Sequence, residues 1–182
     1  MLGVIIGRFQ TPCLHEGHLA LIEAAQNSCE DILVLIGTTA ASGTDKNPLS
    51  FEARKHLFKF NCEIKPLPDH PSDKDWSDQI DEIISSLGFE EATIFGGRDN
   101  SIEDRYSGRH KIKVIRETGG KSSTALRKEA AKQVLDCSSF RAGIIHHVEN
   151  RYPIVYSTVD IIIYCTRKTK ETWEGVRVAA RS

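Results

Sequence analysis

The sequence carries no charge excess. Its 24 Lys and Arg face 25 Asp and Glu, a formal net charge of −1 with His neutral. A basic surplus of the kind that holds polynucleotides is missing, so nucleic acid is not expected as a partner. Cysteine is sparse and unpatterned: five residues, Cys13, Cys29, Cys62, Cys137 and Cys165, an odd number with no CxxC spacing. That argues against a thiolate zinc site and a disulfide framework, leaving reduced, mostly packed side chains. No basic segment followed by a long apolar stretch opens the chain, so no signal peptide is expected. Long hydrophobic runs are absent elsewhere too, and the apolar stretch at residues 161–165 is far too short to cross a bilayer. A cytoplasmic protein without membrane attachment is expected. There is no internal repeat, no low-complexity segment and no GxxxxGKS/T phosphate loop; the "GGK" at residues 119–121 lacks the preceding strand and glycine spacing.

What is present is a chain of 182 residues, 40% of them hydrophobic, enough to bury one good core. Residues 1–6, short and rich in β-branched side chains, read as a buried strand. Residues 19–25 read as a helix with Leu19, Ile22 and Ala25 on one face. A second buried strand, 32–36, is closed by Gly37, and Ser50 caps a helix expected over 51–60. A short strand and a Pro-rich loop come next. Residues 75–87 form an amphipathic helix with Trp76, Ile80, Ile83, Ile84 and Leu87 on one face and Gly88 as its stop. Further strands are expected at 92–95, ending in Gly96 and Gly97, and at 111–116, before a helix over 125–135. Strands alternating with helices predict an α/β fold with a doubly wound, Rossmann-like parallel sheet.

The chemistry concentrates in "GRFQTPCLHEGH", residues 7–18, between the first strand and the first helix. In an α/β sheet such a turn lies at the carboxyl end of a strand, where ligands bind. A helix N-terminus offers unpaired N–H groups and the positive end of a dipole, so it attracts phosphate. Gly17 lets a bulky ligand approach the backbone. His15 and His18, three apart, can face one side of the helix start, where imidazole N–H groups can donate to phosphoryl oxygens. Arg8 adds a delocalised charge. No serine or cysteine nucleophile is paired with a base. A histidine pair can also bind a metal, but no third ligand stands at a matching spacing and no protein-held metal is expected. A second anion site is expected at "SSTALRK": Ser122 or Ser123 caps a helix, Thr124 adds a hydroxyl, and Arg127 and Lys128 lie one turn in. Either stretch alone suits an ordinary capped helix. Together they suit a two-helix clamp on a polyphosphate, and phosphoryl or nucleotidyl transfer in which the protein positions and neutralises.

With these motifs the sequence resembles the HxGH nucleotidyltransferases, and among them the archaeal-type nicotinamide-nucleotide adenylyltransferases, as also found in bifunctional adenylyltransferase/Nudix proteins. The resemblance runs from Gly3 to about Ala131. It includes "GRFQ…HEGH", "NPLSFEAR", "PLPDHPSDKDW", "IFGGRDN" and "SSTALR" in that order. It implies transfer of AMP from ATP, with Mg²⁺, to nicotinamide mononucleotide, giving NAD and pyrophosphate. It implies that His15 and His18 bind ATP phosphates and the transition state, with Arg8 beside them and Gly7 and Phe9 in backbone contact. By the same resemblance Arg54 stands near the phosphates, Ser123, Thr124 and Arg127 form the second phosphate clamp, and Gly96, Gly97, Arg98 and Asp99 form a nucleotide-contacting turn. Asp69 and Trp76 fall in the segment that relatives use around the nicotinamide, although Trp76 also sits on the apolar face of its helix. Two departures stand out. Four residues separate Gln10 from His15 where the archaeal enzymes have two, and Ser123 stands where relatives often have glycine.

Arg151–Ser182 resembles the first strands of a Nudix hydrolase domain without the acidic Nudix box. The expected organisation is a nucleotidyltransferase domain over residues 1–150 and a short C-terminal extension over 151–182. The extension is expected to form an extended arm or a ribbon pairing residues 157–165 with 175–180, to lack Nudix hydrolysis, and to dock either on its own domain or on the same ribbon of a second subunit, the latter giving a homo-oligomer. Two other functions share the same motifs: transfer to a phosphopantetheine or FMN acceptor, and non-catalytic nucleotide sensing.

Overall fold

The computed structural model describes residues 1–40, 43–97, 102–115 and 120–149. The chain divides into two units, Met1–Asn150 and Arg151–Ser182. The second unit, with the expected ribbon, lies outside the described residues.

The first unit runs β1 (Leu2–Gly7), α1 (Glu16–Gln26), β2 (Asp31–Thr38), α2 (Phe51–Lys55), β3 (Glu63–Pro68), α3 (Asp73–Ser86), β4 (Ala92–Gly97), α4 (Ile102–Arg105), β5 (Lys111–Ile115), α5 (Ser123–Ala130) and α6 (Ser138–Glu149). The strands form one parallel sheet in the order β3-β2-β1-β4-β5. The doubly wound α/β fold is thus the one the alternation predicts. β1 is central: Leu2 pairs with Asp31 on one side and Ala92 on the other. A strand buried on both faces reads as a continuous apolar run, and the first five residues of β1 are all buried.

The alternating side chains of β1 feed two cores. Leu2, Val4 and Ile6 pack with Trp76, Ile80 and Ile84 of α3 and with Ile102 and Tyr106. Ile5 packs on the opposite face with Leu21, Ile22 and Ala25 of α1 and with Phe58. Chain order reverses between β1 and β4, which opens a crevice at their carboxyl ends.

Several local expectations are corrected. Leu19 is 52% exposed, while Leu21, Ile22 and Ala25 are buried. The true inner face of α1 is 18, 21, 22 and 25, one helical stripe that includes His18. Ser50 does cap α2, accepting from the Ala53 amide, but the helix stops at Lys55 rather than Phe60. The next amides bond three residues back, Leu57 to Arg54 and Phe58 to Lys55, a tight turn that returns Phe58 to the core. α5 likewise ends at Ala130, and Lys132 and Gln133 make the same three-residue bonds. α3 starts two residues earlier than expected, with Ser72 accepting from the Asp75 amide. α4 and α6 are additions to the expected elements. No helix among the described residues is long and apolar enough to cross a membrane.

Candidate active site

A cleft of about 760 Å³ lies at the carboxyl ends of β1, β2 and β3. Of the residues singled out in the sequence, Gly7, Arg8, Phe9, His18, Asp69, Trp76, Ser123, Thr124 and Arg127 line it. His15, Gly17, Arg54 and Gly97 do not line it, and Arg98 and Asp99 lie outside the described residues.

One wall is the start of α1. Phe9 turns the chain after β1 in the left-handed region, with φ 48°, a conformation uncommon for a non-glycine residue. Its buried ring packs 4.9 Å from the His18 ring and edge-on against Phe58. Gly7 makes room for it, since a Cβ there would lie 2.9 Å from Phe9 Cζ. His15 occupies the N-cap position of α1, and its carbonyl accepts from the amides of His18 and Leu19. The two imidazoles stack, with centroids 3.7 Å apart and planes 23° apart. Burial, and then the neighbouring His15, push the His18 pKa down to about 3. His18 is therefore a neutral imidazole at physiological pH. Its Nδ1 is buried with no hydrogen-bond partner among the described residues.

The opposite wall is α5. Ser122 caps it through the Ala125 amide, so its free N–H groups sit at the cleft. Ser123 Oγ lies 3.1 Å from His15 Nε2. The extra hydroxyl at this position is thus accommodated by a bond to the histidine pair. Arg127 donates through Nη1 to the Gln10 carbonyl at 2.8 Å and through Nη2 to Thr124 Oγ1 at 3.1 Å.

A third wall is the loop before α2. Arg8 donates to Asn47 Oδ1 at 3.2 Å and to Asp69 Oδ2 at 2.7 Å, tying this loop to the end of β3. Gln10 is buried, and its side-chain amide accepts from the Leu49 amide at 2.9 Å while donating to the Leu49 carbonyl at 3.1 Å. Arg54, expected near the phosphates, is turned inward instead. It is 3% exposed and donates to the carbonyls of Ser50, Arg8 and Gly37 at 3.1, 2.7 and 2.7 Å. Its fork satisfies the backbone where β1 and β2 end, which explains its burial.

On the α3 side of the sheet, Trp76 is 6% exposed and belongs to the core, and it also lines the cleft. The Arg105 guanidinium lies 4.7 Å from the centre of its ring. Gly96 and Gly97 are the last residues of β4. A Cβ on Gly96 would meet Ile102 Cγ2 at 2.2 Å, so this glycine seats α4 against the sheet.

Sequence reasoning missed Gln10 as more than part of a motif, and missed Lys46, Asn47 and Arg105. Lys46 and Asn47 directly precede Pro48, a signal that was present. Arg105 had none, because it depends on the unforeseen α4. Together Arg8, Lys46, Arg105 and Arg127 face the cleft against one carboxylate among the described residues, Asp69. Such a basic hollow with apolar walls suits a phosphate-rich ligand that carries a flat ring. Among the described residues no group of three or more His, Cys, Asp or Glu gathers to hold a metal ion.

No protein-family model matches the chain. It is similar to the nicotinamide-nucleotide adenylyltransferase of Aeropyrum pernix, 32% identical over 91 residues, covering 44% of this chain and 52% of the relative. It is also similar to that of Pyrococcus abyssi, 28% identical over 91 residues, covering 45% of this chain and 48% of the relative. The chain spans about half the length of the curated relatives it matches. In fold it resembles a bifunctional NMN adenylyltransferase/ADP-ribose pyrophosphatase of Francisella tularensis, solved with AMP and a manganese ion. The TM-score is 0.60 at 22% identity, covering 74% of this chain and 42% of that one.

Proposed function

We propose that this chain, similar in sequence to the nicotinamide-nucleotide adenylyltransferases, transfers AMP from ATP to nicotinamide mononucleotide, giving NAD and pyrophosphate. The observation that carries the reading is the stacked His15–His18 pair set against Ser123, Thr124 and Arg127 in a basic cleft. An oxygen of the acceptor's phosphate attacks the α-phosphorus of ATP. The bond from that phosphorus to the bridging oxygen breaks, and pyrophosphate leaves with the electron pair. The attacking phosphate is already ionised near neutral pH, so no general base is needed and positioning carries the rate. Neutral His18 donates one N–H to a phosphoryl oxygen. The N-terminus of α5 and Arg127 neutralise charge that grows towards the leaving group. Arg8, oriented by Asn47 and Asp69, adds positive charge at the end of β1.

Mg²⁺ accompanying ATP supplies further neutralisation of phosphate charge. Asp69 is the one carboxylate lining the cleft among the described residues and already accepts from Arg8, so this donor set fits an ion held chiefly by phosphate oxygens and water. The reaction belongs to residues 1–150 and to the cytoplasm. Arg151–Ser182 is an appendage to the transferase, the part through which a homo-oligomer would form.

The test is pyrophosphate release from ATP with a panel of acceptor phosphates. Turnover is expected with nicotinamide mononucleotide or its acid and not with phosphopantetheine or FMN. Turnover with FMN or phosphopantetheine alone would move the chain to another acceptor class. Nucleotide binding without release under any acceptor would make it a sensor.

A further inference from the structure

The arginines around the cleft differ in what their terminal nitrogens do. Arg8 commits both to Asn47 and Asp69 and Arg127 commits both to Gln10 and Thr124, while Arg54, which does not line the cleft, is buried with Nη1 on the carbonyls of Arg8 and Gly37. Arg105 hydrogen-bonds through Nε alone, to Asp73 Oδ1 at 2.8 Å. Among the described residues its two terminal nitrogens have no hydrogen-bond acceptor, and the residue lines the cleft.

Its orientation is fixed from several directions. The guanidinium stacks on Trp76, whose ring is locked in the core. Asp73 holds Nε. Buried Ser77 Oγ donates to the Asp73 carbonyl at 2.7 Å, lies 3.3 Å from the Arg105 carbonyl and accepts from the Ser107 amide at 3.0 Å, tying the backbone beside Arg105 to α3. A fork held this way loses little side-chain freedom on binding, which is the physical content of preorganisation. Asp73 is more than half exposed, so solvent screens it and it orients the group more than it cancels the charge.

The position of Arg105 separates it from the phosphate clamp. His18 and Leu21 approach the cleft from the α1 face of the sheet, whereas Trp76, Leu67, Ile102 and Arg105 approach from the α3 face. Transfer needs two nucleotides in one cleft. With the triphosphate at α1 and α5, the α3 side is left for the acceptor. We propose that Arg105 binds an anionic group of the acceptor nucleotide through its two terminal nitrogens, with Trp76 holding the guanidinium from behind. The group is planar or tetrahedral with two oxygens to offer: the acceptor's phosphate, or the ring carboxylate of its acid form. This rests on the transfer reaction proposed above and adds the subsite for its second substrate.

Calorimetry on the full chain tests it, using wild type, Arg105→Gln and Arg105→Lys with four ligands: ATP, nicotinamide mononucleotide, nicotinate mononucleotide and nicotinamide riboside. Arg105→Gln is expected to raise the Kd of at least one mononucleotide about tenfold or more, with the Kd of ATP and the unfolding temperature held. Arg105→Lys, which keeps charge without the fork, should fall between. Equal losses on both mononucleotides and none on the riboside assign the phosphate. A loss confined to nicotinate mononucleotide assigns the carboxylate. Unchanged mononucleotide binding, an equal loss on ATP, or an equal loss on the riboside, which has neither anion, would overturn the proposal. Because binding is read without turnover, a chain that binds both nucleotides and releases no pyrophosphate refutes the reaction while Arg105 is still decided.

Discussion

At the scale of one residue, His18 shows how burial selects a protonation state. Its ring lies between Phe9 and His15, and a proton there would be desolvated and would face a second imidazole at 3.7 Å. Burial first, and His15 second, keep it neutral down to about pH 3. The same ring has two consequences. His18→Ala should lower kcat of adenylyl transfer by about 10²–10³-fold, with a far smaller change in ATP binding, because the lost donor faces charge that develops only during transfer. Near-wild-type turnover would remove His18 from the machinery. The variant should also change how stability depends on pH. The unfolded chain protonates this histidine near its ordinary value, and the folded chain does not. Below that value the unfolded state holds the extra proton, so stability falls as pH falls, by up to roughly 1.4 kcal/mol per pH unit for one such group. His110, also buried and lowered, acts in the same direction. In urea titrations from about pH 7 to about pH 4, His18→Ala should therefore lose midpoint less steeply than wild type. An unchanged slope would contradict the neutral assignment. The pair itself was legible, since a three-residue spacing at a helix start brings both rings to one side. Their stacking was not, because it depends on the left-handed backbone of Phe9 and the space that Gly7 leaves for it.

At the scale of elements, capping was legible and length was not. Ser50 and Ser122 announce α2 and α5 because a short hydroxyl side chain before a helical run has one obvious use. The ends of both helices depend on where the next residues are drawn into the core, which local sequence does not state. α4 is four residues long and owes its seat to the missing side chain of Gly96. Arg54 is the sharpest case of an element-level role hidden behind a motif. An arginine after a polar loop beside a phosphate site invites assignment to the phosphate. In the fold it joins α2 to the ends of β1 and β2 through three carbonyls. Arg54→Ala would strand those buried acceptors, and loss of about 3 kcal/mol or more of stability is expected. Chemical denaturation checks this. A variant with wild-type stability and only a raised KM for ATP would return Arg54 to the phosphates.

At the scale of the molecule, alternation of strand and helix gave the sheet class, while strand order came only from the structure. Nothing in the sequence states that the chain turns back past β1 after β3, because the crossover through α3 is a matter of long-range pairing. That reversal is what places the α1 and α3 faces on two sides of one cleft, and it explains why the basic residues of the cleft come from positions as distant as Arg8 and Arg127. Every described residue lining the cleft nevertheless falls between Ile6 and Arg127, within the unit Met1–Asn150. A unit with its own two-sided core that holds these lining residues should work when cut from the rest of the chain. A chain ending at Asn150 is therefore expected to keep kcat and the KM for ATP within about twofold of the full chain, since all the described lining residues are kept and distant changes are close to additive. Pyrophosphate release on the purified truncation measures this, with thermal unfolding and solution mass run beside it. If the truncation folds but loses turnover, Arg151–Ser182 completes the site, and the transferase cannot be assigned to the first unit alone. If turnover holds while solution mass falls to that of one chain, the extension's part is assembly, and the chemistry belongs wholly to residues 1–150.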